Sequence, residues 1–407
     1  MKKICAVILL CAAGSSLAVA DQLSSEKQAE IISNYLYVTG QAHRIRGTAL
    51  ESQIPEPPDV PVKCGTPAVL DFVMNRDRLD PATLKALGIQ VYDRSEYSHL
   101  TDSVDSPSGV FRIHYTSSGT DRIHTAPGYA DSVARIFDDV YAYLIDTLGY
   151  PEPPTDGFYP SGGDDAFDVY LVDLGGSAYG LTYLDSVFID GATGTRGTAF
   201  MVLDNDYQEI SVYRDRPLDA VRVTCAHEFS HVVHFGMDFT EGERGVDGIY
   251  RSFWMEMTAT WMEEEQYDDI NDYYYYLPHF FSEPWTSVEQ FRSSFDLHPY
   301  GSMLYPLFLA ERFDRDVIRE IWLLCASLGQ NSQFLFAADH VIDSVSNGVE
   351  SWASTFREFT GWNYFTGSRA ALAPDGIGYS ERLQYDTEFS ELPPDNTVDV
   401  HSDYSLG

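Results

Sequence analysis

The segment His227-Glu228-Phe229-Ser230-His231 constrains this chain more than any other stretch of its sequence. In an α-helix, residues four apart lie one above the other on the same face, so the two histidines can direct their imidazoles at one metal ion. Glu228 is adjacent to the first histidine and can reach a water molecule held in an open position of that metal. The pattern therefore predicts a helix that carries a metal site with a carboxylate beside it.

The flanking sequence predicts that this helix is buried inside a domain. Pro217 stands where a first helical turn tolerates proline, and Gly236 stands where a C-terminal cap belongs. The residues between them are apolar on almost every face: Leu218, Val221, Val223, Cys225, Ala226, Phe229, Val232 and Val233. Burying two imidazoles and a carboxylate is costly unless they have a partner. This context favours a metal site over a chance pentapeptide.

The H-E-x-x-H arrangement is typical of zinc hydrolases. Zinc lowers the pKa of a bound water molecule, and the nearby carboxylate takes the proton as the water attacks a carbonyl carbon. A catalytic zinc ion needs a third protein ligand. The metzincin pattern H-E-x-x-H-x-x-G-x-x-H does not supply it, because His234 stands at its Gly and Met237 at its last His. The third ligand is therefore expected outside this helix.

Residues 253–263 supply the candidate third ligand. Helical periodicity places Glu256, Thr260 and Glu263 on one face of this segment. Residues 253–259 read F-W-M-E-M-T-A and resemble the W-x-x-E-G-x-A segment of the zinc aminopeptidases. These enzymes belong to the gluzincins, the clan that also contains the thermolysin-like peptidases, in which a Glu on a second helix completes the zinc site. The resemblance implies that Glu256 is a zinc ligand, and a solvated helix face is the alternative interpretation.

Two residues depart from the gluzincin segment without touching the ligand. Phe253 stands at the Trp of the motif and Met257 stands at its Gly. Further along the same face, either Thr260 or Glu263 is expected to be the hydrogen-bond partner of a ligating histidine.

The chain after Glu256 is helical and aromatic, and its segment from Tyr300 to Trp322 resembles the C-terminal helical lobe of secreted bacterial gluzincin-type proteases. The resemblance implies that a Tyr or His from this lobe points at the zinc ion and stabilises the oxyanion. Tyr300 is the first candidate, followed by His298 and Tyr305. A purely structural role for Tyr300 is the alternative.

Residues 1–20 have the pattern of a signal peptide. Lys2 and Lys3 provide the positive end, residues 4–13 provide the apolar core, and residues 18–20 (A-V-A) provide a cleavage site. No other apolar run approaches the roughly 18 residues of a membrane span. The sequence therefore predicts an exported protein without a membrane span, either secreted outside the cell or held in a periplasm.

The rest of the chain divides into three predicted regions. Residues 21–107 are interpreted as a pro-segment or an ordinary N-terminal extension, with the polar stretch 98–108 as its boundary. Residues 108–365 are the predicted zinc metallopeptidase domain, and residues 366–407 are a loose acidic tail. The gluzincin resemblance implies an α+β fold, in which a twisted mixed sheet lies over the active-site helix and a mainly helical lobe follows. A strand at 199–203 is expected to be the sheet edge that pairs with an extended substrate.

The charge of the chain limits its partners. A formal net charge of −36 and a pI near 4.4 argue against nucleic acid and against anionic membrane surfaces. Acidic loops at 164–165, 204–206 and 268–269 offer carboxylates to Ca²⁺, but none has EF-hand spacing, so calcium is a secondary expectation and solvated loops are the alternative. The expected partner is a protein or peptide substrate, and the protein is expected to be a monomer.

These inferences together predict a secreted zinc metalloendopeptidase. His227, His231 and Glu256 would hold the zinc ion, and Glu228 would act as general base and then as general acid. A zinc aminopeptidase is the first alternative. That branch reads the free amine of its substrate with a G-A-M-E-N-type segment, whereas residues 197–205 contain no Glu, which favours an endopeptidase. The second alternative is a secreted binding or adhesion module with a degenerate site.

Cys64 lies in residues 61–67, P-V-K-C-G-T-P, ahead of the predicted catalytic domain. This stretch resembles the P-R-C-G-V-P-D cysteine switch of the matrix metalloproteinases, which are a different clan. The departures from that motif are Val62, Lys63 and Ala68. The resemblance implies that a thiolate occupies the fourth zinc position and keeps the enzyme latent. The alternatives are a buried free thiol or a disulfide to Cys325, and Cys225 is expected in the core. Three cysteines after the signal peptide cannot form a disulfide framework.

Overall fold

The computed structural model describes residues 23–53, 62–89, 94–155, 157, 164–190, 194–243, 251–329 and 334–385. The predicted signal peptide, residues 1–20, and the last part of the predicted tail, residues 386–407, lie outside the described residues. Within the described part of the chain the fold is mixed α+β, with one six-stranded mixed sheet and more helix than strand. The fold class predicted from the sequence, α+β, is confirmed at this level.

The strands, in chain order, are β1 (Val62–Cys64), β2 (Asp102–Asp105), β3 (Phe111–Tyr115), β4 (Phe167–Val172), β5 (Ala178–Asp190) and β6 (Gly194–Asp204). They lie in the order β1-β5-β6-β4-β3-β2 across the sheet. The β1–β5, β3–β4 and β4–β6 pairs are parallel, and the β2–β3 and β5–β6 pairs are antiparallel. All six residues of β4 are buried, as expected of a strand with neighbours on both sides and both faces covered.

The expected position of the strand at 199–203 is wrong. These residues lie in β6, which is between β5 and β4 and is therefore an internal strand. Strand β5, which the sequence did not predict, runs antiparallel to β6 and lies between β6 and β1. Residues 178–184 of β5 are all buried, so they lack the polar alternation that identifies a half-exposed strand. The side of β5 away from β6 pairs with β1, which is the edge strand of the sheet.

The helices are α1 (Ser25–Val38), α2 (Thr66–Asn75), α3 (Pro81–Ala86), α4 (Tyr129–Tyr141), α5 (Pro217–Asp238), α6 (Phe253–Gln266), α7 (Leu277–Phe281), α8 (His298–Gly301), α9 (Leu304–Arg312), α10 (Asp316–Leu328), α11 (Phe334–Val345) and α12 (Trp352–Tyr364). The described residues after α6 form helices and no strand, as the sequence predicts. No described helix combines the length and the apolar character needed to cross a membrane.

Helix α5 is the predicted metal helix, and it packs against β5, β6, α4 and α6. It is buried from Val223 to its end at Asp238. Gly236 does not cap it, contrary to the sequence expectation. A Cβ at this glycine would lie 2.9 Å from side-chain atoms of both Pro153 and Pro154, so the missing side chain allows a loop to pass close to the helix.

The N-terminal region packs into the same hydrophobic core as the sheet and α5. Leu36 of α1 and Val69 of α2 are fully buried, and the rings of Tyr35 and Phe72 stack with their centroids 4.0 Å apart. The polar stretch 98–108 was expected to be a boundary. It contains β2, whose residues alternate between half-buried and exposed. Its polar composition therefore reflects an outer strand of the sheet.

Candidate metal centre

Helix α5 places two imidazoles on one buried face. His227 and His231 are one helical turn apart, and their ring centroids are separated by 4.8 Å. Both residues are almost completely inaccessible to solvent, with 1% and 0% exposure. The spacing predicted from H-E-x-x-H therefore gives two neighbouring nitrogen ligands inside the protein.

Helix α6 packs against α5 and brings Glu256 to the same point. Its Oε2 atom lies 3.3 Å from Nε2 of His227, and its Oε1 atom lies 3.3 Å from Nε2 of His231. Glu256 is fully buried and lies in the first turn of α6. The structure thus brings together the three residues that the sequence predicts as zinc ligands.

A fourth candidate ligand comes from β1. The Sγ atom of Cys64 lies 3.4 Å from Nε2 of His231. One ligand atom from each of Cys64, His227, His231 and Glu256 lies within 4.8 Å of all the others. Among the described residues Cys64, Cys225 and Cys325 are all free thiols, so the alternative of a Cys64–Cys325 disulfide is wrong.

The donor set fits zinc. Thiolate, imidazole and carboxylate are the ligand types of tetrahedral zinc sites, with bonds of about 2.0–2.3 Å. Ligand atoms at the corners of such a tetrahedron are separated by roughly 3.3–3.7 Å. One oxygen of Glu256 lies 3.3 Å from His227, its other oxygen lies 3.3 Å from His231, and Cys64 lies 3.4 Å from His231, so each of these separations is close to this range. The four side chains could therefore hold one zinc ion with small adjustments.

The charges of the ligand group favour a bound cation. Burial alone would raise the pKa of Glu256, but the imidazoles of His231 and His227 outweigh it and lower that pKa to about 2. Burial also disfavours the protonated form of His227, yet Glu256 and Glu263 raise its pKa to about 9. The carboxylates that raise the pKa of His227 therefore also favour positive charge at this point of the site.

A carboxylate behind His227 orients its ring. Nδ1 of His227 lies 2.7 Å from Oε1 of Glu263, which directs Nε2 towards the ligand group. Of the two residues predicted to contact a candidate ligand histidine, Glu263 is the one that contacts His227. Thr260, the other candidate, donates instead to the main-chain oxygen of Glu256, at 2.8 Å.

Lys63, whose role was not predicted from the sequence, also belongs to this buried network. Its Nζ atom lies 2.6 Å from Oε2 of Glu263 and also pairs with Asp272. Only 2% of the Lys63 side chain is exposed. Burial opposes its charge, but the two carboxylates outweigh burial and raise its pKa, so the ammonium group is charged. In the sequence, only its position next to Cys64 pointed to a role for this lysine. Its two acidic partners, Glu263 and Asp272, lie about 200 positions further along the chain.

Glu228, the predicted general base, lies on α5 beside the ligands and is fully buried. Its Oε2 atom accepts hydrogen bonds from the hydroxyls of Thr66, at 3.1 Å, and Thr182, at 2.8 Å. Its Oε1 atom is buried and has no hydrogen-bond partner among the described residues. Its carboxylate raises the pKa of the Cys64 thiol, after the larger effect of burial. One carboxylate oxygen is therefore held in place and the other is available.

Tyr300 is brought to the site and His298 is not. The Tyr300 hydroxyl donates to the main-chain oxygen of Cys64, at 3.3 Å, and its ring centroid lies 6.2 Å from that of His227. Nε2 of His298 lies 3.2 Å from the carbonyl oxygen of Ser287, and this side chain is outside the ligand group. Tyr305, the third candidate, packs against Phe359, with ring centroids 5.2 Å apart.

Two acidic groups include residues of the predicted calcium loops. Carboxylates of Asp173, Asp204 and Glu209 gather in one group, and those of Glu264, Asp268 and Glu381 gather in the other. Asp204 already accepts hydrogen bonds from three backbone N–H groups of its own and a neighbouring loop. Its geometry thus has a structural explanation that does not involve an ion.

The whole centre is enclosed. The four candidate ligands and Glu228 each have at most 1% of their surface exposed. A closed set of four ligands is typical of structural zinc sites, whereas catalytic sites keep a position open for water. Comparison with protein-family models found no match for this chain, and comparison with curated proteins found none either.

Proposed function

We propose that this chain is a secreted zinc-dependent metalloendopeptidase. The observation that supports the proposal most directly is the convergence of His227, His231 and Glu256 from two packed helices, with Glu228 beside them. His227, Glu228 and His231 also form the H-E-x-x-H pattern of zinc hydrolases. The gluzincin assignment, the export of the protein and its peptide substrate are parts of the same proposal.

The proposed mechanism divides the work among the residues of the site. A zinc ion held here would supply a Lewis acid that lowers the pKa of a water molecule and polarises the substrate carbonyl. Glu228 accepts the proton of the attacking water on its available oxygen and later gives it to the leaving amine. Thr182 holds the other oxygen of this carboxylate, and Glu263 fixes the ring of His227. The Tyr300 hydroxyl donates to the developing oxyanion.

Zinc content tests the ligand assignment without any activity measurement. Purified wild-type protein should contain one zinc ion per chain by mass spectrometry, and Glu256→Ala should contain less because one ligand is lost. His234→Asn is the matched control. This histidine lies on the same buried helix but stacks on Trp322, with ring centroids 4.1 Å apart, and is outside the ligand group. Full zinc in Glu256→Ala would move the third ligand elsewhere.

The type of peptidase is tested with two peptides of the same sequence, one with a free amine and one with an acetylated N-terminus. An endopeptidase cleaves both at an internal bond, whereas an aminopeptidase cleaves only the free peptide. The enclosure of the site requires that the assay include the Cys64→Ser protein as well as wild type.

A second candidate function is favoured by the same enclosure. A non-catalytic secreted module with a structural zinc ion would also have four buried ligands and no open position. It predicts bound zinc and no peptide hydrolysis in any variant.

A further inference from the structure

We propose that residues 62–66, called here the blocking segment, keep this enzyme latent by occupying every functional part of its active site at once. The inference rests on the proposed peptidase function and concerns the regulation of the same site. It follows from four separate contacts of the segment.

The first contact is with the sheet. Val62 and Cys64 pair in parallel register with Ala178 and Gly180 of β5, and the N–H of Gly65 donates to the carbonyl of Gly180 at 2.9 Å. An extended peptide substrate commonly binds by adding a strand to a sheet edge. The edge of β5 next to the metal helix is already occupied by the protein itself.

The second contact is with the metal position. A catalytic zinc ion needs three protein ligands and one open position. The thiol of Cys64 joins His227, His231 and Glu256 as the fourth ligand and closes that position. On coordination the S–H bond would break, the sulfur–metal bond would form, and the proton would leave to solvent, with no change of oxidation state.

The third and fourth contacts are with the groups proposed to act on the substrate. The Thr66 hydroxyl donates to Oε2 of Glu228, at 3.1 Å, and the carbonyl oxygen of Cys64 accepts from the hydroxyl of Tyr300, at 3.3 Å. The proposed general base and the proposed oxyanion donor are therefore both engaged by residues of the blocking segment.

Lys63, the residue before Cys64, anchors the segment through buried ion pairs. Its ammonium group pairs with Glu263 and Asp272 deep in the protein. Glu263 also contacts His227, so the anchor of the blocking segment and the orientation of a metal ligand share one carboxylate. Helix α2 continues directly from the segment into the core, with Val69 and Leu70 buried. An active form would therefore require that the segment leave the site.

The test uses the full chain loaded with Co²⁺ or Cd²⁺, because thiolate ligation to either ion gives a charge-transfer absorption. Wild-type protein should bind one equivalent and show this absorption. Cys64→Ser and Cys64→Ala should bind the ion without it, and Cys325→Ser, which removes another fully buried thiol, should keep it. One bound equivalent without the absorption in wild type would overturn the proposal.

The second readout is hydrolysis of an internally cleavable peptide by the zinc-loaded proteins. Cys64→Ser or Cys64→Ala should be faster than wild type by at least about tenfold, while Cys325→Ser should be as slow as wild type. If wild type is as fast as the Cys64 variants, latency is refuted and the peptidase stands. If no protein hydrolyses the peptide, the peptidase is refuted and latency with it. The wild-type absorption requires no substitution, so it tests ligation by Cys64 even if both Cys64 variants misfold.

Discussion

Glu263 contacts both His227 and Lys63. Its Oε1 atom lies 2.7 Å from Nδ1 of His227, and its Oε2 atom lies 2.6 Å from Nζ of Lys63. Glu263→Gln should weaken zinc binding about 10–100-fold, because a neutral amide orients the imidazole less strongly and lowers its basicity. Competition with a chelator of known affinity measures the change. Glu265→Gln is the control, since Glu265 lies on the same helix but pairs with Arg315 at 3.0 Å. Equal zinc affinity of Glu263→Gln and wild type would contradict the orienting role.

Glu228 has no ligand role in the proposed mechanism and acts only on protons. Glu228→Gln should therefore keep one zinc ion and lose peptidase activity by at least about 10²–10⁴-fold. The comparison should be made in the Cys64→Ser background, where the proposed block is absent. Retained hydrolysis in the double variant would show that the mechanism is wrong.

We expect Glu264 to make the stability of the protein dependent on pH. Burial, together with the charges of Glu381, Asp268, Glu263 and Glu265, raises the pKa of its carboxyl group to about 9 in the folded protein, from an ordinary value of 4.5. The unfolded chain loses this proton near pH 4.5 and the folded protein holds it, so the free energy of unfolding falls as pH rises from about 4.5 towards 9.

Replacing Glu264 removes this dependence. Relative to wild type, Glu264→Gln should gain at least about 1.4 kcal/mol in unfolding free energy between pH 5 and pH 8, the equivalent of one pKa unit. Urea denaturation at a series of pH values measures it. Glu381→Gln should give a smaller gain, since it removes only one neighbouring charge. Parallel pH curves for wild type and Glu264→Gln would refute the prediction.

Gly180 allows β5 to lie against the metal helix. A Cβ at this position would lie 2.7 Å from Cγ2 of Thr224 and 3.0 Å from Cγ of Glu228. Gly180→Ala should therefore destabilise the protein by about 1–3 kcal/mol, as overpacking of a core does. Gly361→Ala is the control, because Gly361 lies in α12 with no atom near the added methyl group, and it should stabilise the helix by up to about 1 kcal/mol. Denaturant unfolding of both variants checks the contrast.

The sequence predicts those parts of the site that lie close together along the chain. His227, Glu228 and His231 follow from helical spacing, and Glu263 was one of two candidates, with Thr260, on the helix face of Glu256. Each of these inferences needs only the geometry of one helix. The meeting of the two helices was expected from a resemblance to a known family.

The contacts made by the blocking segment could not be predicted from the geometry of one helix. Thr66 reaches Glu228 across 162 positions of the sequence, and Lys63 reaches Asp272 across 209. No local pattern encodes such pairs, because they depend on which strand lies beside β5. The motif around Cys64 indicated that a thiol could reach the metal, but the order of strands in the sheet decided the surrounding contacts.

The burial of all four candidate ligands has a kinetic consequence. Because no ligand atom is reachable from solvent in the closed structure, a metal ion can enter or leave only when the protein opens locally. Exchange would then proceed at the rate of that opening, and it would become independent of the concentration of a strong chelator once opening is the slow step. The ion would be retained through periods of metal scarcity much longer than its equilibrium affinity alone implies.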